Sequence, residues 1–96
     1  MRFFIEFAYN GKNYHGWQKQ PNAITVQQVL DDSLSTILRN KIATMGAGRT
    51  DTGVHAEQMF AHFDYHNDLP NNMVFKLNSI LPDDIAVESI FQVRDD

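Results

Sequence analysis

The chain has 96 residues, 43% hydrophobic and 21% charged, which suits one small globular domain and is too short for two. It contains no cysteine, which excludes disulfides and thiolate metal sites, and no apolar run approaches the length of a membrane span. The net charge of −4 argues mildly against nucleic-acid binding, but residues 1–56 carry six Lys/Arg against four Asp/Glu, whereas residues 57–96 carry two against eight. The N-terminal residues lack the apolar stretch of a signal peptide, so we expect a cytoplasmic protein without a targeting segment.

The first predicted element is a strand at residues 3–9, followed by a turn signal at Asn10-Gly11. Apolar residues alternate along this strand, which predicts one buried face. That face contains Phe3, Ile5, Phe7 and Tyr9.

Residues 10–24 form a polar loop in which Tyr14 and Trp17 are interleaved with Gln18, Lys19 and Gln20. Aromatic rings, cations and amides together are typical of a contact with single-stranded RNA. Composition favours equally the alternative that the two rings fold back over the core as a lid.

A helix is predicted to begin at Thr25, because Thr25 and Gln28 have the spacing of a capping box. We expect Asp31, Asp32 and Arg39 to be solvated and Asn40 to be the C-cap. The apolar stripe of this helix consists of Val26, Val29, Leu30, Leu34, Ile37 and Leu38.

Four further elements follow along the chain. The pattern predicts a strand at residues 41–47 with Ile42 and Met45 buried, and a strand at 58–65. A short helix at 71–80 should turn Val74, Leu77, Ile80 and Leu81 inward, and a last strand at 85–93 should have Ile85, Val87 and Phe91 in phase. The order βαββαβ predicts an α+β, ferredoxin-like fold, an antiparallel sheet with two helices on one face.

The segment between the second and third strands is chemically the richest part of the chain. Gly48 and Gly53 bracket Arg49, Thr50 and Asp51, and His55 follows two residues later. A carboxylate beside a guanidinium stays ionised, which suits a nucleophile or an ion-pair anchor better than a proton donor. The alternative is an ordinary structural turn, in which Asp51 caps backbone amides.

The phrase Gly-Arg-Thr-Asp-Thr-Gly-Val-His-Ala at residues 48–56 closely resembles the active-site signature of the tRNA pseudouridine synthase A (TruA) family. The resemblance also takes in Tyr-His-Gly-Trp-Gln at residues 14–18 and extends to residues 81–87. Members of that family are built from two related α+β halves and act as homodimers. The resemblance therefore implies that residues 1–96 are a single N-terminal half, which we expect to fold but not to catalyse alone.

By this resemblance, the full-length enzyme converts uridine to pseudouridine at positions 38–40 of tRNA, in the anticodon arm, without a cofactor. Asp51 takes the position of the nucleophile, and Arg49 that of the arginine that pairs with it. Attack at the sugar C1′ and at C6 of the uracil both remain open. The further residues that we assign to substrate binding are Thr50, Gln18, Lys19 and His55.

The residue types also allow two other classes of function. A metal-dependent hydrolase using Asp51, His55, His62 and His66 is disfavoured, because these residues lack the clustered spacing of metal ligands. A non-catalytic RNA-binding or interaction module of ferredoxin-like fold is the main alternative. The signature of the RNA-recognition module is absent.

Overall fold

A computed structural model describes residues 1–46 and 56–93 of the chain, without the side chains of residues 56 and 57. Its elements are β1 (Arg2–Tyr9), a 3-10 turn (Gly11–Asn13), α1 (Val26–Leu38), β2 (Met45–Gly46), β3 (Ala56–Asp64), α2 (Met73–Ile80) and β4 (Ile85–Val93). The strands form one antiparallel sheet in the order β2-β3-β1-β4. The predicted ferredoxin-like fold is confirmed.

The core lies between the two helices and one face of the sheet. The alternation predicted for β1 is confirmed, since its four odd-numbered residues from 3 to 9 are all buried. Ring stacking between Phe3 and Phe63, with centroids 5.6 Å apart, joins β1 to β3 on this face. The opposite face carries Phe4, His62 and Phe91, whose rings lie beside one another.

The prediction that Phe91 lies on the same face of β4 as Ile85 and Val87 is wrong. Glu6 pairs with Ser89 and Phe7 with Val87, so Glu88 is an extra residue of β4 at this point. Such a bulge moves every following side chain to the other face. Phe91 is therefore 48% exposed on the open face of the sheet, although Val87 is buried as expected.

The second strand, predicted at residues 41–47, begins later than expected: among residues 41–46 only Met45 and Gly46 are in a strand. Ile42 is buried as expected, but its N–H is bonded to the Ser35 side chain of α1 at 2.9 Å and not to a strand. Met45 was expected to be buried and is 64% exposed, because it pairs with His62 on the open face. Residues 42–44 are therefore held by side chains of α1 and not by strand pairing.

Helix α1 begins as predicted, with the Thr25 hydroxyl accepting the N–H of Gln28 at 3.3 Å. The C-cap is Arg39, in the left-handed conformation at φ 52°, and not Asn40. The apolar stripe of α1 is confirmed, with Val29 and Ile37 only partly buried. Asp31 was expected to be solvated and is buried instead.

Helix α2 is two residues shorter than predicted and packs less deeply. Its N-cap is Asn72, at φ 61°, whose side chain makes no capping bond. Leu77 is buried as predicted, but Ile80 is 48% exposed, and Met73 takes an inner position that was not expected. Within the described ranges, neither helix is long and apolar enough to cross a membrane.

Candidate functional site

The glycine-bracketed motif joins two neighbouring strands of the sheet. Gly46, the last residue of β2, pairs with Ala61, and Ala56, the first residue of β3, pairs with Tyr9. The predicted site residues Arg49, Thr50, Asp51 and His55 lie between these ends, outside the described residues. The described residues form the framework at both ends of the motif.

The polar loop at residues 10–24 begins at the same end of the sheet. It follows Tyr9, the residue that pairs with the start of β3. The N–H of Asn10 donates to the backbone oxygen of Asp84 at 2.9 Å, just before β4. The two segments for which sequence predicts chemistry therefore lie at one end of the sheet.

Tyr14 anchors the first part of this loop. Its ring is buried, and its hydroxyl donates to Oδ1 of Asp84 at 2.5 Å. Burial, and then the hydrogen bond and negative charge of Asp84, raise the pKa of Tyr14 well above its usual range. Tyr14 therefore stays protonated, as a structural donor. No role was assigned to Asp84 from the sequence, and this contact was missed.

Trp17 anchors the second part of the loop. Its indole is buried and packs on Phe7, with ring centroids 5.2 Å apart. For Tyr14 and Trp17, the alternative in which the two rings fold back over the core is thus confirmed. The indole also lies directly against Gly46, where an added Cβ would come within 2.6 Å of Trp17 Cε2. Only a residue without a side chain allows this approach.

Gln18 and Lys19 follow Trp17 and are both exposed. Trp17 lies against Gly46, the last residue of the strand that leads into the motif. Gln18 and Lys19 directly follow Trp17 in the sequence, so they are held near that strand. Exposed amide and ammonium groups at such a place can meet a polar or anionic ligand. Of the predicted binding residues, these are the two that the structure describes.

Helix α1 connects this loop to the strand through one side chain. The Gln27 amide nitrogen Nε2 donates to the backbone oxygen of Thr44 at 2.6 Å. The amide oxygen Oε1 of the same side chain accepts the N–H of Lys19 at 2.8 Å. A single planar group therefore joins the polar loop to the residue two positions before the end of β2.

One turn further along α1, Asp31 also holds Thr44. Its Oδ1 accepts the backbone N–H at 3.0 Å and the hydroxyl at 2.6 Å. Burial raises the pKa of Asp31, while the bonds from Thr44 and the charge of Lys19 oppose that rise. Gln27, Asp31 and Ser35 recur every four residues, which is the signal that could have shown a polar stripe facing residues 42–44.

A family model described as tRNA pseudouridine synthase matches residues 6–95. The chain belongs to the tRNA pseudouridine synthase family. Relatives named tRNA pseudouridine synthase A are 53% identical over 96 residues in Bacteroides thetaiotaomicron and 46% identical over 92 residues in Thermoanaerobacter sp. X514. These matches cover 99% and 95% of the chain but only 36% and 38% of the two relatives. The chain thus spans less than two fifths of their length.

Two histidines that a metal site would need are separated in this member of the tRNA pseudouridine synthase family. His62 lies on the open face beside Phe4, with ring centroids 5.5 Å apart, whereas the His66 Nδ1 lies 3.4 Å from the amide of Asn40. Within the part of the chain that the structure describes, no three His, Asp or Glu residues are grouped to hold a metal ion. Asp51 and His55 lie outside that part.

Proposed function

We propose that this chain is the N-terminal half of a tRNA pseudouridine synthase A, which isomerises uridine at positions 38–40 of the tRNA anticodon arm, with Asp51 as the nucleophile. The observation that carries the proposal is a nine-residue phrase that resembles the active-site signature of the family, within a chain whose residues 6–95 match the family model. For the full-length synthase we further propose a cytoplasmic homodimer.

The framework around the motif supports this function. An isomerase acting on a nucleotide within RNA must place its nucleophile against one bond while other groups hold the flanking polynucleotide. Here Gln18 and Lys19 are exposed on a loop that Trp17 attaches to Gly46, at the start of the motif. The Gln27 amide adds a second connection between that loop and the strand.

The reaction is an isomerisation whose atoms balance without a second substrate. The bond between uracil N1 and the sugar C1′ breaks, the base turns, and a bond forms between C5 and C1′. The C5 proton is lost and N1 gains a proton. An ionised Asp51 can form a covalent intermediate at C1′ or at C6, and no electrons enter or leave, so we propose that no cofactor is required.

We propose that Arg49 keeps Asp51 ionised and in place, because a guanidinium binds a carboxylate through two parallel hydrogen bonds. Thr50 and His55 would contact the flipped nucleotide, and Gln18 and Lys19 the neighbouring backbone and bases. Lys19 is suited to phosphate, since its charge is exposed.

We also propose that the 96 residues do not catalyse alone. The relatives are more than two and a half times as long as the chain, since it spans 36–38% of them. A flipped base needs enclosure on more than one side, and a net charge of −4 supplies little basic surface for an anticodon arm. By itself the chain would be a weak, salt-sensitive RNA-binding domain.

The test transplants the chain into a complete enzyme. The matched segment of the Bacteroides thetaiotaomicron relative is replaced by these 96 residues, giving a hybrid synthase that is assayed on unmodified tRNA beside the intact relative and the 96-residue chain. We expect pseudouridine at positions 38–40 from the hybrid and none from the chain alone.

Three outcomes would count against the proposal. A hybrid that melts cooperatively and binds tRNA but forms no pseudouridine would contradict the assigned activity. Pseudouridine confined to other positions would contradict the assigned substrate site. Turnover by the 96 residues alone would contradict the claim that the catalytic apparatus extends beyond them.

A further inference from the structure

We propose that Gln27 is a positioning residue, whose side-chain amide sets the placement of the Gln18–Lys19 loop relative to the strand that leads into the motif. Gln27 is neither in the motif nor in the loop. This inference rests on the proposed function for its effect on turnover, but the hydrogen bonds that carry it are independent of that function.

The geometry requires an amide at this position. Oε1 accepts from the Lys19 N–H at 2.8 Å, and Nε2 donates to the Thr44 oxygen at 2.6 Å. A carboxylate can only accept hydrogen bonds, and an aliphatic side chain can neither donate nor accept them. The glutamine amide both donates and accepts, so it satisfies both backbone groups. Gln27 is half-buried, which makes an unpaired partner costly.

The strand side of the bridge is held rigidly. Oδ1 of Asp31 binds both the N–H and the hydroxyl of Thr44, so Thr44 is tied to α1 through its N–H, hydroxyl and carbonyl groups. Thr44 is buried, at 2% exposure. A change at Gln27 would therefore move the loop more than the strand.

The loop side is held by fewer contacts. Trp17 is fixed between Phe7 and Gly46, and its backbone oxygen accepts the N–H of Gln27 at 3.0 Å. Beyond Trp17, the Lys19 N–H is the next backbone group bound to α1, through the Gln27 side chain. Without that bond, Gln18 and Lys19 would lose their fixed distance from β2, and a displacement of about 1 Å can cost up to ~100-fold in rate.

The experiment compares two variants of Gln27 with a matched control in the hybrid synthase. Gln27→Glu keeps the acceptor for Lys19 but places an oxygen against the Thr44 carbonyl, and Gln27→Met removes both bonds. The control Gln28→Glu makes the same charge change one residue later, where the side chain has no hydrogen bond within residues 1–46 and 56–93. For each protein, kcat and KM for tRNA are measured well below the melting temperature.

We expect both Gln27 variants to lose kcat/KM by about 10-fold or more, and Gln28→Glu to stay within about twofold of the parent. A purely structural role would lower the melting temperature and leave the kinetics of the folded enzyme unchanged. Parent kinetics in both Gln27 variants, an equal loss in Gln28→Glu, or failure of both Gln27 variants to fold would overturn the proposal.

A second measurement, on the 96-residue chain, tests whether the Gln27 side chain binds the Lys19 N–H. It applies even if the hybrid synthase is inactive, because that inactivity would contradict the proposed function and not the hydrogen bonds of Gln27. Amide hydrogen exchange at Lys19 should be slow in the parent, in Gln27→Glu and in Gln28→Glu, and faster in Gln27→Met. Equal exchange at Lys19 in the parent and in Gln27→Met would show that the bridge is absent.

Discussion

The two helices pack on the same face of the sheet but use their polar residues differently. Helix α1 directs Gln27, Asp31 and Ser35 at residues 42–44, the segment that leads into the motif. Helix α2 directs one residue, Asn78, at β4, where its amide donates to the Val87 oxygen at 2.9 Å and accepts the Val87 N–H at 2.8 Å. The polar contacts of α1 thus hold the segment that leads into the motif, whereas those of α2 hold the edge strand β4.

The contrast indicates two structural roles for α1, packing the core and holding the segment that leads into the motif. Leu30 and Leu34 of α1 are fully buried, as Leu77 of α2 is, so both helices contribute to the core. The polar contacts of α1 hold residues 42–44, which directly precede β2. Breaking contacts of each helix in turn separates the two roles.

The largest effect on stability is expected from Asn78→Ala. It removes two hydrogen bonds to Val87, a loss of about 2 kcal/mol in the free energy of unfolding at roughly 1 kcal/mol for each bond. Chemical denaturation of the 96-residue chain measures this loss. In the hybrid synthase, kcat and KM should not change, because β4 carries none of the proposed site residues. A fall in kcat comparable with that of Gln27→Glu would remove the distinction between the helices.

The next effect concerns the buried carboxyl of α1 and depends on pH. Because burial raises the pKa of Asp31 in the folded state above its unfolded value, the folded protein binds the proton more tightly. The contribution of Asp31 to stability is therefore full below the unfolded pKa, near ~3.9, and is lost as pH rises through the folded pKa. The parent should lose stability over this range relative to Asp31→Asn, whose amide oxygen still accepts from Thr44.

Denaturation of both proteins between about pH 3.5 and 8 measures that difference, spanning the ordinary carboxyl range and above. Asp32→Asn is the matched control, because Asp32 is the adjacent residue and is exposed. The loss of stability with rising pH should remain in Asp32→Asn, because that variant keeps the buried carboxyl of Asp31. A constant difference between the parent and Asp31→Asn would show that the Asp31 carboxyl titrates alike in the folded and unfolded chain.

The smallest expected effect on stability comes from the N-cap residues of the two helices, Thr25 and Asn72. Thr25→Ala removes the cap that the Gln28 N–H uses, at a cost of about 1 kcal/mol. Asn72→Gly removes no capping bond and places glycine at φ 61°, so stability should stay the same or rise slightly. Equal losses at the two positions would mean that the Thr25 hydroxyl contributes nothing as a cap.

Sequence patterns predicted the elements whose periodicity is uninterrupted. The alternation of β1 and the apolar stripe of α1 needed no tertiary information, and both are confirmed. Phe91 was misplaced because the alternation of Ile85 and Val87 was continued through the bulge at Glu88. Met45 was misplaced because its face depends on pairing with His62.

The contacts in the framework of the candidate site could not be predicted from the sequence. Asp31 looks like a solvated helix residue until Thr44 is brought against it by the fold. The hydrogen bonds of Gln27 similarly form only when the fold brings the Lys19 N–H and the Thr44 oxygen to its side chain. The role of the motif follows from its resemblance to the family signature and stays a prediction, whereas these contacts exist only in three dimensions.

The most direct test of the central claim is the activity of Asp51→Asn in the hybrid synthase, which keeps the size of the side chain and removes its negative charge. Asp32→Asn in the same hybrid is the control for loss of one carboxylate. We expect Asp51→Asn to bind tRNA and to melt near the parent temperature but to form no pseudouridine, while Asp32→Asn retains the parent rate. Measurable turnover by a well-folded Asp51→Asn would contradict the assignment of Asp51 as the nucleophile.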